Sequence, residues 1–176
     1  MIHYISPYAT DGNIGRALNE YCSLVPEGDW ICLRDGDAMF TTPDYGRLIS
    51  EVIDRHGSDY DLFGAMTNRI GWKHHQVPGM FDEWDYRKHV KAGEILRDTY
   101  GSDVQPTREL IAGFFMLFRM ETWDRIRFTE DRRRARLFDG DFSRQVVRRA
   151  IIKGLYLFHV YRPWSNSPRN DIKHLI

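Results

Sequence analysis

At 176 residues the chain has the length of one domain, and folding at that size buries enough surface to need neither a disulfide framework nor a structural metal. Its 25 Lys and Arg residues balance 25 Asp and Glu, which excludes a broadly basic surface for nucleic acid or membranes; any anion must be held locally. No apolar run is long enough to span a bilayer and no secretory leader is visible. Cys22 and Cys32 fall inside predicted elements, so the expectation is a soluble protein of the reducing cytoplasm.

Ile2 to Ser6 reads as a short strand, closed by Pro7 and the turn-forming Asp11-Gly12-Asn13. Behind Asn13, a side chain suited to N-capping, Ile14, Ala17, Leu18, Tyr21 and Cys22 recur at helical spacing until Pro26 and Gly28 stop the pattern. Trp30 to Leu33 is a second strand, apolar throughout as in a sheet covered on both faces, and the strand-helix-strand order predicts a parallel pair. A helix from Tyr45 to Arg55 and a strand from Leu62 to Met66 follow. Residues 67–107, rich in charge, His, Trp and Gly, show little periodicity beyond a helix from Asp85 to Tyr100 and read as an insertion over a sheet edge. Gly113 to Phe118 is a strand and Glu121 to Ile126 a short helix. Arg132, Arg133, Arg134 and Arg136 form a charged surface able to steer an anion. Asp139-Gly140-Asp141 then opens a helix through Lys153, with Val146, Val147, Ala150 and Ile151 on its apolar face, and a last strand from Leu155 to Val160 carries His159. The tail after Trp164 is expected to be irregular. The expected fold is α/β: one compact domain with a mostly parallel sheet flanked by helices.

Asp35-Gly36-Asp37 leaves the C-terminal end of the second strand, where open α/β sheets place their ligands. Two carboxylates flanking one glycine can face a single cation, the glycine permitting a tight bend between them. Mg²⁺ and Mn²⁺ take oxygen ligands and commonly complete their shell with substrate phosphate. The same residue types also make an ordinary solvated turn. Asn68 and Arg69 follow the third strand at the same edge of the sheet, within reach of a sugar, and with Trp72 and Trp84 they offer either an acceptor wall or a solvated loop. His74 and His75 are adjacent, hence divergent, and lack a third ligand at the right spacing, which argues against zinc.

Several of these segments recur in a familiar order. Ala17-Leu18-Asn19 precedes Gly28-Asp29-Trp30-Ile31-Cys32-Leu33, which runs into Arg34-Asp35-Gly36-Asp37. Gly113-Phe114-Phe115-Met116-Leu117-Phe118-Arg119 with Trp123 comes next, then Asp139-Gly140-Asp141-Phe142-Ser143, and finally Gly154 before the last strand. The set resembles the GT-A fold (Rossmann-like) nucleotide-sugar glycosyltransferases of the inverting, family-2-like kind, and covers most of the chain outside 67–107. The resemblance implies transfer of a sugar from a UDP- or GDP-sugar donor to an acceptor hydroxyl, with Mn²⁺ or Mg²⁺ held by Asp35 and Asp37 against the diphosphate. It implies that His159 completes the metal shell and that residues 67–107 face the acceptor. An acceptor hydroxyl must lose its proton as it attacks, so a carboxylate base is required. Asp141 best matches the family's acidic position; Asp139 is the second candidate or a helix cap.

The nucleotide-binding section is shorter than the family's. Ser6, Pro7 and Tyr8 at the end of the first strand are left as candidates for the base and ribose, with Tyr8 able to stack, and Arg16 one turn into the next helix can approach a phosphate or the base or simply be solvated. The acceptor is a saccharide by family default; nucleic acid enters only as a modified-base acceptor. Two other readings stand beside this one. A metal-dependent nucleotidyltransferase or phosphohydrolase would use Asp35 and Asp37 in the same way, although the chain has no Gly-rich phosphate loop. A non-catalytic nucleotide-sugar-binding module would keep the donor site and lose the chemistry.

Overall fold

Asn13 accepts the backbone N–H of Arg16 at 3.1 Å and so caps α1 (Ile14–Cys22), whose Ala17, Leu18 and Cys22 turn inward. The strands on either side of it, β1 (Ile2–Ile5) and β2 (Trp30–Arg34), pair in parallel with Ile2 opposite Trp30 and Ile5 opposite Leu33, as the strand-helix-strand order predicts. The structure is a computed structural model that describes residues 1–131 and 137–160. The arginine cluster at 132–136 and the tail with Trp164 lie outside the described residues. In chain order the remaining elements are β3 (Ala38–Phe40), α2 (Tyr45–His56), β4 (Leu62–Thr67), a 3-10 turn (Lys73–His75), α3 (Tyr86–Tyr100), β5 (Val104–Thr107), β6 (Phe115–Arg119), α4 (Met120–Ile126), α5 (Phe138–Gln145) and β7 (Arg149–His159).

Among the described residues seven strands form one sheet in the order β1-β2-β6-β4-β7-β3, with β5 paired to β7. The sheet is mixed. β6 runs antiparallel to both β2 and β4, and β3 runs antiparallel to β7, so the expectation of a mostly parallel sheet is corrected. The reason is general: a continuous apolar strand records burial on both faces and carries no information about direction.

A second correction concerns residues 146–153. The helix that begins at Phe138 ends at Gln145, Val146 is already extended (φ −91°, ψ 125°), and Arg149 starts an 11-residue strand. Val146, Ala150 and Ile151 are buried as expected but Val147 is 86% exposed, and the strand they lead into is covered on both faces and so lacks the alternation that separates strand from helix. Gly154 lies inside this strand rather than before it. A Cβ there would stand 2.0 Å from the carbonyl oxygen of Gly101, so close approach of the two backbones excludes any side chain. Nor does Asp139 cap α5: the N-cap is Leu137, and Asp139 sits in the first turn.

Two compact units divide the chain. One comprises Met1–Gly36, Gly57–Gly64 and Pro106–Ile151. Its core joins β2 and β6 to an aromatic cluster in which Phe128 stacks on Phe142 at 4.4 Å and Phe118 lies 5.0 Å from Phe142. Cys22 and Cys32 are both free and fully buried there; burial pushes the Cys22 thiol up to about 12, against the pull of Arg127, and raises Cys32 further. The other unit comprises Asp37–His56, Ala65–Gln105 and the chain from Ile152. Here α3 begins at Asp85, whose carboxylate accepts the Arg87 N–H at 3.0 Å, and packs so tightly that a Cβ on Gly93 would meet Thr41 Oγ1 at 2.1 Å. Buried His89 on α3 bridges the Glu83 carbonyl (3.0 Å) and the Tyr156 hydroxyl (2.7 Å). Among the described residues no helix is long and apolar enough to cross a membrane.

Candidate metal and donor site

The ladder between β2 and β6 continues one bond past its last strand pair, the Asp35 N–H reaching the Phe114 carbonyl at 3.1 Å, and this fixes Asp35 at the strand end. Two residues later the chain enters β3, where Ala38 lies opposite His159 and the Val160 N–H bonds the Asp37 carbonyl at 3.0 Å. Strand pairing therefore delivers Asp37 to the end of β7. The Asp37 carboxylate stands 3.3 Å from His159 Nε2. Asp35 stands two residues before Asp37 along the chain. Gly36 is not required for the bend. Its φ lies outside the left-handed region and nothing stands within 4 Å of where a Cβ would be.

His159 is 2% exposed, and its surroundings fix its chemistry. Its backbone N–H donates to Asn68 Oδ1 at 2.8 Å. Its ring Nδ1 lies 2.8 Å from the Arg69 carbonyl oxygen, an atom that only accepts, so Nδ1 carries the hydrogen. In the neutral ring Nε2 is then the lone-pair nitrogen, and it faces Asp37. Metal-ligating histidines are characteristically oriented by such a carbonyl on the far nitrogen. Two hard carboxylate oxygens with one imidazole nitrogen suit Mn²⁺, and the carboxylates suit Mg²⁺, so the residues present fit the ion that the sequence implies.

Ser6 lies one residue beyond the parallel pair Ile5–Leu33, and its hydroxyl accepts from Arg34 at 3.1 Å, which sets it beside the strand end that carries Asp35. Tyr8 is 76% exposed and Pro7 partly so. Arg16 pairs with Asp11, ahead of its helix, at 3.1 Å and with Glu20, one turn along it, at 2.6 Å, and those acids hold its guanidinium above the ordinary value. Asn68 is fully buried. The Arg69 side chain is fully buried too, directed to the Phe81 carbonyl, to Asp82 at 3.4 Å and under the Trp84 ring at 4.0 Å. Trp84, expected as part of an acceptor wall, thus covers Arg69.

Asp139 accepts the Gly113 N–H at 2.8 Å and the Gly140 N–H at 2.7 Å. Burial raises its pKa, while these donors oppose the rise. A Cβ on Gly113 would meet Asp139 Cβ at 2.9 Å, so glycine is what admits the carboxylate here. The neighbouring Phe114 carbonyl is the one that holds Asp35, so both acids are anchored on the Gly113-Phe114 step. Asp141 pairs with Arg144 at 3.2 Å and lines a cavity of about 450 Å³ with Ile126, Arg127, Phe128, Thr129 and Gln145. The three residues of β3 are too few to leave a pattern in the sequence, although it is the strand that brings Asp37 to His159.

No protein-family model, no curated protein and no solved structure matches the chain.

Proposed function

We propose that this chain is a metal-dependent glycosyltransferase that moves a sugar from a nucleoside-diphosphate sugar to an acceptor hydroxyl with inversion. The observation that carries the reading is the Asp37–His159 contact at 3.3 Å, with the His159 hydrogen fixed on the opposite nitrogen. Mn²⁺ or Mg²⁺ bound there would neutralise charge on the departing diphosphate. Asp35 and Asp37 supply oxygen ligands and His159 a nitrogen. Ser6, Pro7 and Tyr8, at the end of β1, are the contacts for ribose and base.

Asp141 is the general base. It lines a cavity with room for a sugar, and its carboxylate can take the proton of an acceptor hydroxyl as that oxygen attacks the anomeric carbon. Asp139, held by two backbone N–H groups, is less free to turn toward a substrate and orients the Gly113 turn. Asp141→Asn should abolish transfer while leaving donor binding intact; if Asp139→Asn does so instead, the two roles exchange.

The decisive experiment is a thermal-shift screen of UDP- and GDP-sugars with and without Mn²⁺, followed by NMR of the product anomer. A donor that stabilises the fold only with metal, by mass action, supports the reading. No stabilisation by any donor removes it. The same acidic cluster would serve a nucleotidyltransferase or phosphohydrolase, and release of pyrophosphate or inorganic phosphate in place of a nucleoside diphosphate would select that chemistry. Metal-dependent donor binding with no turnover under any acceptor would select a binding module.

A further inference from the structure

Asn68 and Arg69 stand where a sugar contact is expected, yet Asn68 Oδ1 and the Arg69 carbonyl are turned to His159 and the Arg69 side chain to the segment at 81–84. Asn68 Oδ1 takes the His159 N–H at 2.8 Å, and the Arg69 carbonyl takes the ring Nδ1–H at 2.8 Å. The Arg69 side chain is anchored at its other end. Its Nε–H donates to the Phe81 carbonyl, Asp82 lies 3.4 Å from a terminal nitrogen, and the guanidinium lies 4.0 Å from the Trp84 ring centre and 5.1 Å from that of Phe81. With 0% of that side chain exposed, moving it would strand a charge away from its partners, so its position is stiff. A stiff side chain holds its own backbone, and here the backbone carries the carbonyl that decides which nitrogen of His159 has the hydrogen.

We infer that Arg69 is a positioning residue: through its main-chain carbonyl, and with Asn68, it keeps His159 in the Nδ1–H form with Nε2 presented to a divalent cation. The inference rests on the metal reading above and adds to it. Residues 81–84, far from Asp35 and Asp37 in sequence, set the affinity of the metal site by clamping Arg69. A direct sugar contact by Arg69 would predict changed donor affinity and an unchanged His159 ring. The positioning role predicts a changed ring before any donor or metal is added.

The test uses the whole chain and two readouts. The imidazole nitrogen shifts of His159 are recorded by NMR in metal-free protein at about pH 8, above the ordinary imidazole range. Mn²⁺ affinity is then measured by electron paramagnetic resonance with the metal alone. Wild type is expected to show the Nδ1–H form. Arg69→Met, which keeps bulk but loses the charge and the hydrogen bonds, is expected to mix the two tautomers and to weaken Mn²⁺ binding by roughly 10–100-fold, the usual range for losing an outer partner of a metal ligand. Trp84→Leu, which removes the stacking ring and leaves Arg69 in place, is expected to give a smaller change in the same direction and serves if Arg69→Met does not fold. A wild-type His159 in the Nε2–H form overturns the inference. So do variants that keep both the wild-type ring signature and the wild-type Mn²⁺ affinity. Failure of wild type to bind Mn²⁺ sinks the metal reading instead, a result distinguishable from the other two.

Discussion

His159 is 2% exposed and held at its backbone N–H and its Nδ1, whereas Tyr8 is 76% exposed and the Arg16 guanidinium is tied to Asp11 and Glu20. The first set is proposed for the metal and diphosphate, the second for the nucleotide base. Groups fixed before binding need not be ordered when the ligand arrives, and exposed ones must be. On the proposed function, this contrast would place most of the donor affinity in the metal and diphosphate contacts, and little discrimination in the base.

The strongest way to break this contrast is to disable the better-ordered region. Asp37→Asn should lower Mn²⁺ affinity by on the order of 100-fold or more, since even outer partners of a ligand are worth roughly 10–100-fold. Equilibrium dialysis of Mn²⁺ checks it, and an unchanged affinity would end the comparison. Next in size is Gly154→Ala, in the strand that carries His159. Its Cβ would arrive 2.0 Å from the Gly101 carbonyl, so we expect a loss of about 2 kcal/mol from overpacking, read as a lower urea midpoint at constant slope.

Acidification sharpens the comparison through His89. Burial lowers its pKa below the ordinary imidazole value, with the Glu83 carbonyl opposing, and the folded ring stays neutral while the unfolded one takes a proton. Its contribution to stability is therefore complete above the unfolded value of about 6.5 and is lost as pH falls through the lower folded one. His89→Gln, which can still donate to Glu83, should flatten the dependence of the urea midpoint on pH in that window. At the loosely held region, Tyr8→Ala and Arg16→Ala should each leave the urea midpoint close to wild type, because exposed rings and surface ion pairs contribute little. A tenfold or larger loss of UDP-sugar affinity in a titration of either variant would show that base recognition is stronger than their exposure suggests. Smallest of all is Gly36→Ala: with space for a Cβ and no left-handed backbone, it should leave the melting midpoint and Mn²⁺ affinity at wild-type values, within about 0.5 kcal/mol.

Which parts of this were legible in the sequence follows from how local each signal is. Asn13 marks its helix because a capping side chain acts within three residues, and it makes the predicted bond; Asp85, read as the first residue of its helix, is the cap of that helix. Asp35 and Asp37 are visible because a strand end needs only the preceding apolar run. Val146 to Lys153 misleads because a strand buried on both faces and a helix face can share the same apolar spacings over eight residues. The antiparallel placement of β6 depends on partners some 80 residues away and leaves no mark on Phe115 to Arg119 themselves. Asn68 and Arg69 were found by position, at the end of a strand; what they touch depends on Phe81, Trp84 and His159, which no nearby residue announces.

Both thiols of the chain are sealed in the folded state, Cys22 on the inner side of α1 and Cys32 in the middle of β2. A thiol-directed label can couple only when the chain opens, so the pace of alkylation becomes a clock for that opening. Because α1 lies nearer the loosely held Tyr8 and Arg16 while β2 leads straight into Asp35, resolving the two labels by mass would time fraying of the helix separately from breaching of the sheet.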